Sequence, residues 1–293
     1  MINDLTLREF ARTAEQKHNI NTKSSFLKWF RDIGNSASQK RLYKAWIERE
    51  SDNNSDTHHT VHIEAPVSHN LITEHYLSNE EENSTSASCH NLHKLFNNMK
   101  RFTFPFETKE IPKNGIYILF EEGESAHNTD RIVRVGTHNK DNNLHQRLKQ
   151  HFMSKNKDSS IFRKNIGRAI LNKTNDPFLE QWNWDISKKE NKAKYLPDIE
   201  KLKEIENQVS KIIKSNFSFI VFEVETEQER LELEAKIIST VSLCKECEAS
   251  KEWLGSSSSE HKIRESSLWL KQGLYGTPLM ELEYKIVKQY CQQ

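Results

Sequence analysis

Two short runs decide the fold: Gly115–Phe120, GIYILF, and Arg131–Gly136, RIVRVG. Both are dense in β-branched and aromatic residues, which favour extended backbone. The polar stretch EEGESAHNTD between them reads as loop, so the two runs are expected to pair as a hairpin with a long tip. Further along, Phe217–Val224 is a third β-rich run. Between the second and third strands, Leu144, Leu148 and Phe152 recur at helical spacing, and Ile161, Ile166, Ala169 and Ile170 suggest another helix. After the third strand, Thr226 with Glu229 three residues on has the form of a capping box, with Leu231, Ala235, Ile238 and Val241 as the stripe expected to be buried. Upstream, Leu92 to Met99 looks helical. The resulting order is strand, strand, helix, helix, strand, helix: an α+β fold with a small antiparallel three-stranded sheet flanked by helices.

On the N-terminal side, apolar residues at helical spacing between 4 and 49 (Leu7, Phe10, Phe26, Phe30, Leu42, Trp46) predict a helical bundle over residues 1–49. Residues 51–88 hold no Lys or Arg, and 50–88 reads as an acidic polar linker that cannot bury enough apolar surface to fold alone. The sheet-bearing domain is then expected over 89–273 and an amphipathic C-terminal helix over 274–293, with Leu279, Leu282, Ile286 and Val287 on its core or dimer face. A hydrophobic content of 35% and a mean hydropathy of -0.82 agree with a packed core plus long polar segments. No apolar run approaches the ~20 residues of a membrane helix and Met1 to Arg12 is too polar for a secretory signal, which predicts a soluble cytoplasmic protein with no membrane partner. Four cysteines, Cys89, Cys244, Cys247 and Cys291, are too few and too scattered for a disulfide framework and are expected to be reduced.

The whole-chain net charge of +1 says little about partners, but its distribution does. Between Arg131 and Lys173 stand Arg131, Arg134, Lys140, Arg147, Lys149, Lys155, Lys157, Arg163, Lys164, Arg168 and Lys173, opposed only by Asp141 and Asp158. A basic island on consecutive helices of a neutral protein is the footprint of a surface that meets phosphate, with a Lys-rich solvated helix pair as the plainer alternative. Lys149, Arg163, Lys164 and Arg168 are the candidate nucleic-acid contacts.

The ordered set Gly115-Ile116-Tyr117 on the first strand, Arg134-Val135-Gly136 on the second, Arg147 on the following helix and Glu234 on the helix after the third strand resembles the GIY-YIG nuclease family over roughly residues 110–270. The phrases FEEGE, RVGTH and SIFRKNIGRAIL are similar to a bacterial branch that includes restriction endonucleases. The resemblance implies a Mg²⁺ (or Mn²⁺) dependent endonuclease acting on DNA, plausible in restriction or phage defence. It departs from the family in two places. Arg134 stands where the second tyrosine is usual, and no Asn follows Glu234, Leu270 holding that position with Gln272 the nearest amide. A non-catalytic nucleic-acid binder on the same fold, or an interaction protein recruiting a partner through residues 1–49, is the alternative.

These residues also suit phosphodiester hydrolysis on chemical grounds. The attacking water needs a base, the pentavalent phosphate gathers negative charge, and the leaving alkoxide needs a cation or an acid. Tyr117 could supply or orient the base, Arg134 could favour its tyrosinate, and Arg147 could clamp two non-bridging oxygens with its guanidinium fork. His151, one turn beyond Arg147, could reach the same phosphate or relay a proton, and Glu234 would hold the metal. A double-strand break needs two sites, so a homodimer is expected, joined through residues 1–49 or the C-terminal helix. Cys244 and Cys247 form a CxxC that Cys89, His90 and His93 could in principle complete as a zinc site, but a second half so far along the chain is poor evidence and no zinc is assigned. Trp182 and Trp184, in a long insertion with Pro177, could brace the core or stack on a nucleotide.

Overall fold

The computed structural model describes residues 85–292 and, upstream of them, Phe26 alone. The expected bundle over 1–49 and the linker up to residue 84 therefore lie outside the described residues. The last four residues assigned to the linker, 85–88, are helical: α1 occupies 85–97 and presents Cys89, Leu92 and Phe96 to the core. It is followed by β1 (Phe102–Thr103), β2 (Ile116–Ala126), β3 (Thr129–Gly136), α2 (Leu144–Phe152), α3 (Ile161–Lys173), α4 (Leu179–Asn183), α5 (Lys189–Lys194), α6 (Ile199–Asn216), β4 (Phe217–Phe222), α7 (Glu227–Leu243), α8 (His261–Ser266) and α9 (Glu281–Cys291).

The sheet is antiparallel throughout, in the order β1-β4-β2-β3. It has four strands where three are predicted, because the two-residue β1 is too short to leave a periodic signal yet pairs with β4 at Phe102↔Phe219. The long hairpin tip is also corrected. β2 continues to Ala126, β3 begins at Thr129, and only His127 and Asn128 turn the chain, both with positive φ (51° and 59°), as a tight two-residue hairpin requires. The polar letters that suggested a loop belong to paired strand. Glu124 is buried in an ion pair with Arg131 (2.6 Å), and buried Glu121 accepts hydrogen bonds from the indole nitrogens of Trp253 and Trp269, both at 2.8 Å.

Strand alternation divides the core between two helical layers. Tyr117, Leu119, Phe217 and Phe219 face a layer built from Leu144, Leu148 and Phe152 of α2, Phe162 and Ile166 of α3, and Val209 and Ile213 of α6. Ile116, Ile118, Phe120, Val135, Ile220 and Phe222 face Leu92 and Phe96 of α1, Leu233, Ile237 and Val241 of α7, and Val287 of α9. Each of these large side chains contributes about 1.5–3 kcal/mol on burial. The long α6, capped by Asp198 accepting from Lys201 N at 3.0 Å, is absent from the predicted order. In the insertion before it, Trp182 is fully buried, donates to Lys164 O (2.9 Å) and packs on Gly167, so it braces the core.

The Thr226 cap forms as predicted, its hydroxyl accepting from Glu229 N. The stripe on α7 is only partly the predicted one. Leu233, Ile237, Ile238 and Val241 are buried, whereas Leu231 is 44% exposed. The helix carries a second apolar face, Leu231, Ala235 and Ile238, and that face lines a cavity.

Candidate active site

The two glycines of the paired triplets have separate physical reasons. A Cβ on Gly115 would lie 2.2 Å from the Phe222 carbonyl oxygen, so β4 can approach β2 only past a glycine. A Cβ on Gly136 would lie 2.2 Å from the Tyr117 hydroxyl, and the register places Gly136 directly opposite Tyr117. Thr137 and His138 then tie the strand ends together: Thr137 Oγ1 donates to Gly115 O (2.8 Å) and Gly115 N donates to His138 Nε2 (3.2 Å).

Arg134 is opposite Leu119, two residues from Gly136 and on the same sheet face as Tyr117. It is 4% exposed, its guanidinium donates to the carbonyl of Trp269, and its Nε is buried with no hydrogen-bond partner among the described residues. Beside it opens a cavity of about 640 Å³ whose wall includes Arg134, Thr137, Arg147, Asn165, Glu234 and Gln272. Among the described residues Arg147, on α2, is held by long contacts alone, to Gln150 (3.4 Å) and the Ser159 carbonyl (3.5 Å), so its fork is largely unspent there. Glu234, on α7, accepts from the Thr137 backbone N–H at 3.1 Å through Oε1, and Oε2 has no hydrogen-bond partner among the described residues. Burial raises the Glu234 carboxyl above the usual range, while Arg134, the Thr137 N–H and Arg147 pull it back. Thr137 acts through its backbone, so sequence reasoning missed it. The RVGTH phrase that contains it was its only signal.

Tyr117 and His151 lie behind this wall. Both are fully buried, the Tyr117 hydroxyl lies 2.8 Å from His151 Nε2, and His151 Nδ1 lies 2.7 Å from Ser160 Oγ, which also caps α3 by accepting from Arg163 N. Burial first, then Arg147, Arg134 and Arg163, holds the His151 imidazole well below its ordinary pKa, hence neutral. His151 is thus bonded at both ring nitrogens and does not belong to the cavity wall, where the sequence offered it either a phosphate or a proton.

The expected nucleic-acid contacts separate sharply. Arg163 is fully buried and locked onto Glu206 of α6 (2.6 Å), Ser210 Oγ and the His151 carbonyl, so it is not available to a ligand. Lys164 is 9% exposed and paired with Asp158, and Arg168 is half-buried against Glu260 (2.8 Å) and Asn183. Lys149 is exposed on α2. Much of the basic island is thus neutralised, by Asp158 within it and by Glu124, Glu206 and Glu260 from outside it. Sequence distance hid Glu206 and Glu260.

A magnesium ion fits this donor set in one way. A hard cation of octahedral preference is commonly held by one or two carboxylates plus water and substrate phosphate. Here one carboxylate oxygen, Glu234 Oε2, is unspent, and the amides of Asn165 and Gln272 share the cavity wall although no Asn follows Glu234 in sequence.

No curated protein and no solved structure matches the chain. The sequence model of the GIY-YIG domain matches residues 79–276, well over half of the 293 residues and the whole of the sheet, the Tyr117–His151 pair and the cavity wall, and by that match the chain belongs to the GIY-YIG domain family, whose members are usually endonucleases.

Proposed function

We propose that this protein is a Mg²⁺-dependent endonuclease that hydrolyses DNA phosphodiester bonds in the cytoplasm, in the manner of the restriction branch of the family, with restriction or phage defence as its setting. The observation that supports it most is the cavity in which two arginines face one half-buried carboxylate, with a buried Arg134 Nε lacking a partner among the described residues. An orphaned guanidinium donor costs about 1–3 kcal/mol until an acceptor arrives, and a phosphate oxygen is such an acceptor. Arg147 clamps the phosphate from the opposite element. When bound at Glu234, Mg²⁺ would polarise the phosphate and neutralise the leaving oxygen. The Tyr117–His151–Ser160 chain takes up or returns a proton at the Tyr117 oxygen, with neutral His151 able to exchange one at either ring nitrogen.

A second reading has its own support. Tyr117 is fully buried and does not belong to the cavity wall, which suits a nucleic-acid-binding module that has lost the reaction. Plasmid DNA incubated with the protein in Mg²⁺ and in EDTA distinguishes them. The nuclease reading expects metal-dependent nicking that Glu234→Ala and Arg147→Ala each reduce by about a hundredfold or more, with circular dichroism unchanged. Binding without cleavage under every metal condition would establish the second reading. Two strands require two sites, and a homodimer supplies them through residues 1–49 or α9, on which Leu282 and Ile286 are exposed. Light scattering with and without DNA checks this, a monomer in both counting against it.

A further inference from the structure

The topology gathers three distant cysteines and a histidine at the end of the molecule where α1, the β2–β3 turn and the end of α7 meet. Cys89 lies on α1, His127 is the first turn residue of the hairpin, and Cys244 and Cys247 follow directly from α7. The ligand atoms of the four all lie within 4.8 Å of one another. Cys89 Sγ is 3.4 Å from Cys247 Sγ, and His127 Nε2 is 3.4 Å from the sulfurs of both Cys244 and Cys247. Tetrahedral zinc, with Zn–S near 2.3 Å and Zn–N near 2.0–2.1 Å, places its ligand atoms roughly 3.5–3.8 Å apart. The observed spacing is close to that before any ion draws the set together.

We infer that Cys89, His127, Cys244 and Cys247 form a structural zinc site of three thiolates and one imidazole, separate from the metal position at Glu234. The donor chemistry selects the ion: soft sulfur with imidazole suits Zn²⁺, whereas Mg²⁺ prefers carboxylate, carbonyl and water. All three sulfurs belong to buried residues and the His127 side chain is 1% exposed, so the four ligands close the site as structural zinc requires. On loading, three thiol protons leave and the neutral imidazole coordinates through Nε2.

The surroundings fit the same assignment. His127 Nδ1 lies 3.4 Å from Glu246 Oε2, and Glu246 in turn accepts from the Ser86 hydroxyl. A carboxylate on the far nitrogen fixes the tautomer that turns Nε2 toward the sulfurs, the usual arrangement behind a metal-bound imidazole. His93, the nearer candidate by sequence, is already used: Nδ1 donates to the Cys89 carbonyl at 3.0 Å and Nε2 accepts from Ile132 N at 3.1 Å. It braces the site and does not ligate.

The inference does not rest on the nuclease reading, and its test reads metal and not cleavage. The full chain, purified anaerobically without chelator, is expected to carry one zinc per chain by elemental mass spectrometry, released by a mercurial thiol reagent. Cobalt in its place should give the intense visible bands of a tetrahedral thiolate site, and X-ray absorption of the zinc protein should show three sulfurs and one nitrogen. Glu246→Gln, at an exposed residue that leaves all four ligands in place, should weaken zinc affinity by about tenfold to a hundredfold. Cys291→Ser, outside the group, should retain full zinc. Protein that is zinc-free as purified and gives no tetrahedral cobalt spectrum, a shell of oxygen and nitrogen only, or a Cys89–Cys247 disulfide in the anaerobic protein would each overturn it. Should Cys244→Ser or His127→Ala fold poorly, the cobalt and absorption measurements on the unaltered chain still decide.

Discussion

Glu121 combines two indole donors with a carboxyl that burial holds above the usual range. A carboxyl raised in the fold adds stability in its protonated form, present at low pH and lost as pH rises through the raised value. At neutral pH the ionised group is therefore a burden that an amide avoids, and a glutamine oxygen can still accept from Trp253 and Trp269. Glu121→Gln is expected to melt at or above the wild-type temperature near neutral pH, with a flatter pH dependence above the ordinary carboxylate value of ~4.3. Glu121→Ala, which strands two indole N–H groups, should cost about 2 kcal/mol or more. The same reasoning bears on the proposed cleavage. If Glu234 holds the cation it must be ionised, so the acidic limb of cleavage should lie above the ordinary carboxylate value of ~4.3. Because His151 stays neutral, no second limb is expected near ~6.5. A pH–rate profile shows both. Tyr117→Phe removes only the hydroxyl at His151, and should lower kcat by about a hundredfold with DNA affinity unchanged if the relay moves the proton.

Between elements, the Arg163–Glu206 pair fastens α3 to α6, and Lys149 stands exposed on α2. Arg163→Ala leaves a buried carboxylate unpaired and should cost about 3–5 kcal/mol in denaturant unfolding. Lys149→Ala should leave stability unchanged and, if DNA lies across α2, reduce the slope of log affinity against log salt by about one. The contrast explains what the sequence made legible. Strands with clean alternation, the α2 stripe and the Thr226 cap are local signals, and Arg147, Arg134 and Glu234 fall on elements that those signals locate. Partners are not local. Glu206 is 43 residues from Arg163, and Cys89 is 158 from Cys247, so the Arg163 partner could not be read along the chain, and the sulfur cluster could be named only as the candidates Cys89, Cys244 and Cys247, without His127. The hairpin tip was hidden for a related reason: Glu121 and Glu124 look like loop until their buried donors are known. The apolar stripe on α7 was found but assigned to the core, because periodicity identifies a face without saying what it meets.

Across the whole molecule, among the described residues, no helix is long and apolar enough to cross a membrane. What the described sheet exposes is instead governed at its two edges. On one side β1 is two residues long. On the other, the chain after α8 runs beside β3, Trp269 N donates to Val133 O at 2.8 Å, and the neighbouring Ser267 carbonyl accepts from Arg131. This segment also supplies the carbonyl that holds Arg134, and its next residues, Leu270 to Gly273, complete the cavity wall. Removing it by cleavage after Ser266 would therefore do two things at once: it would unfasten Arg134 and open the Val133 carbonyl on the edge of β3, while Asp130 and Ile132 of that edge stay bonded to Asn97 and His93 of α1. Such a nicked protein should self-associate more than the intact chain, read as a rise in light scattering, because the segment that completes the candidate pocket also covers part of the sheet edge.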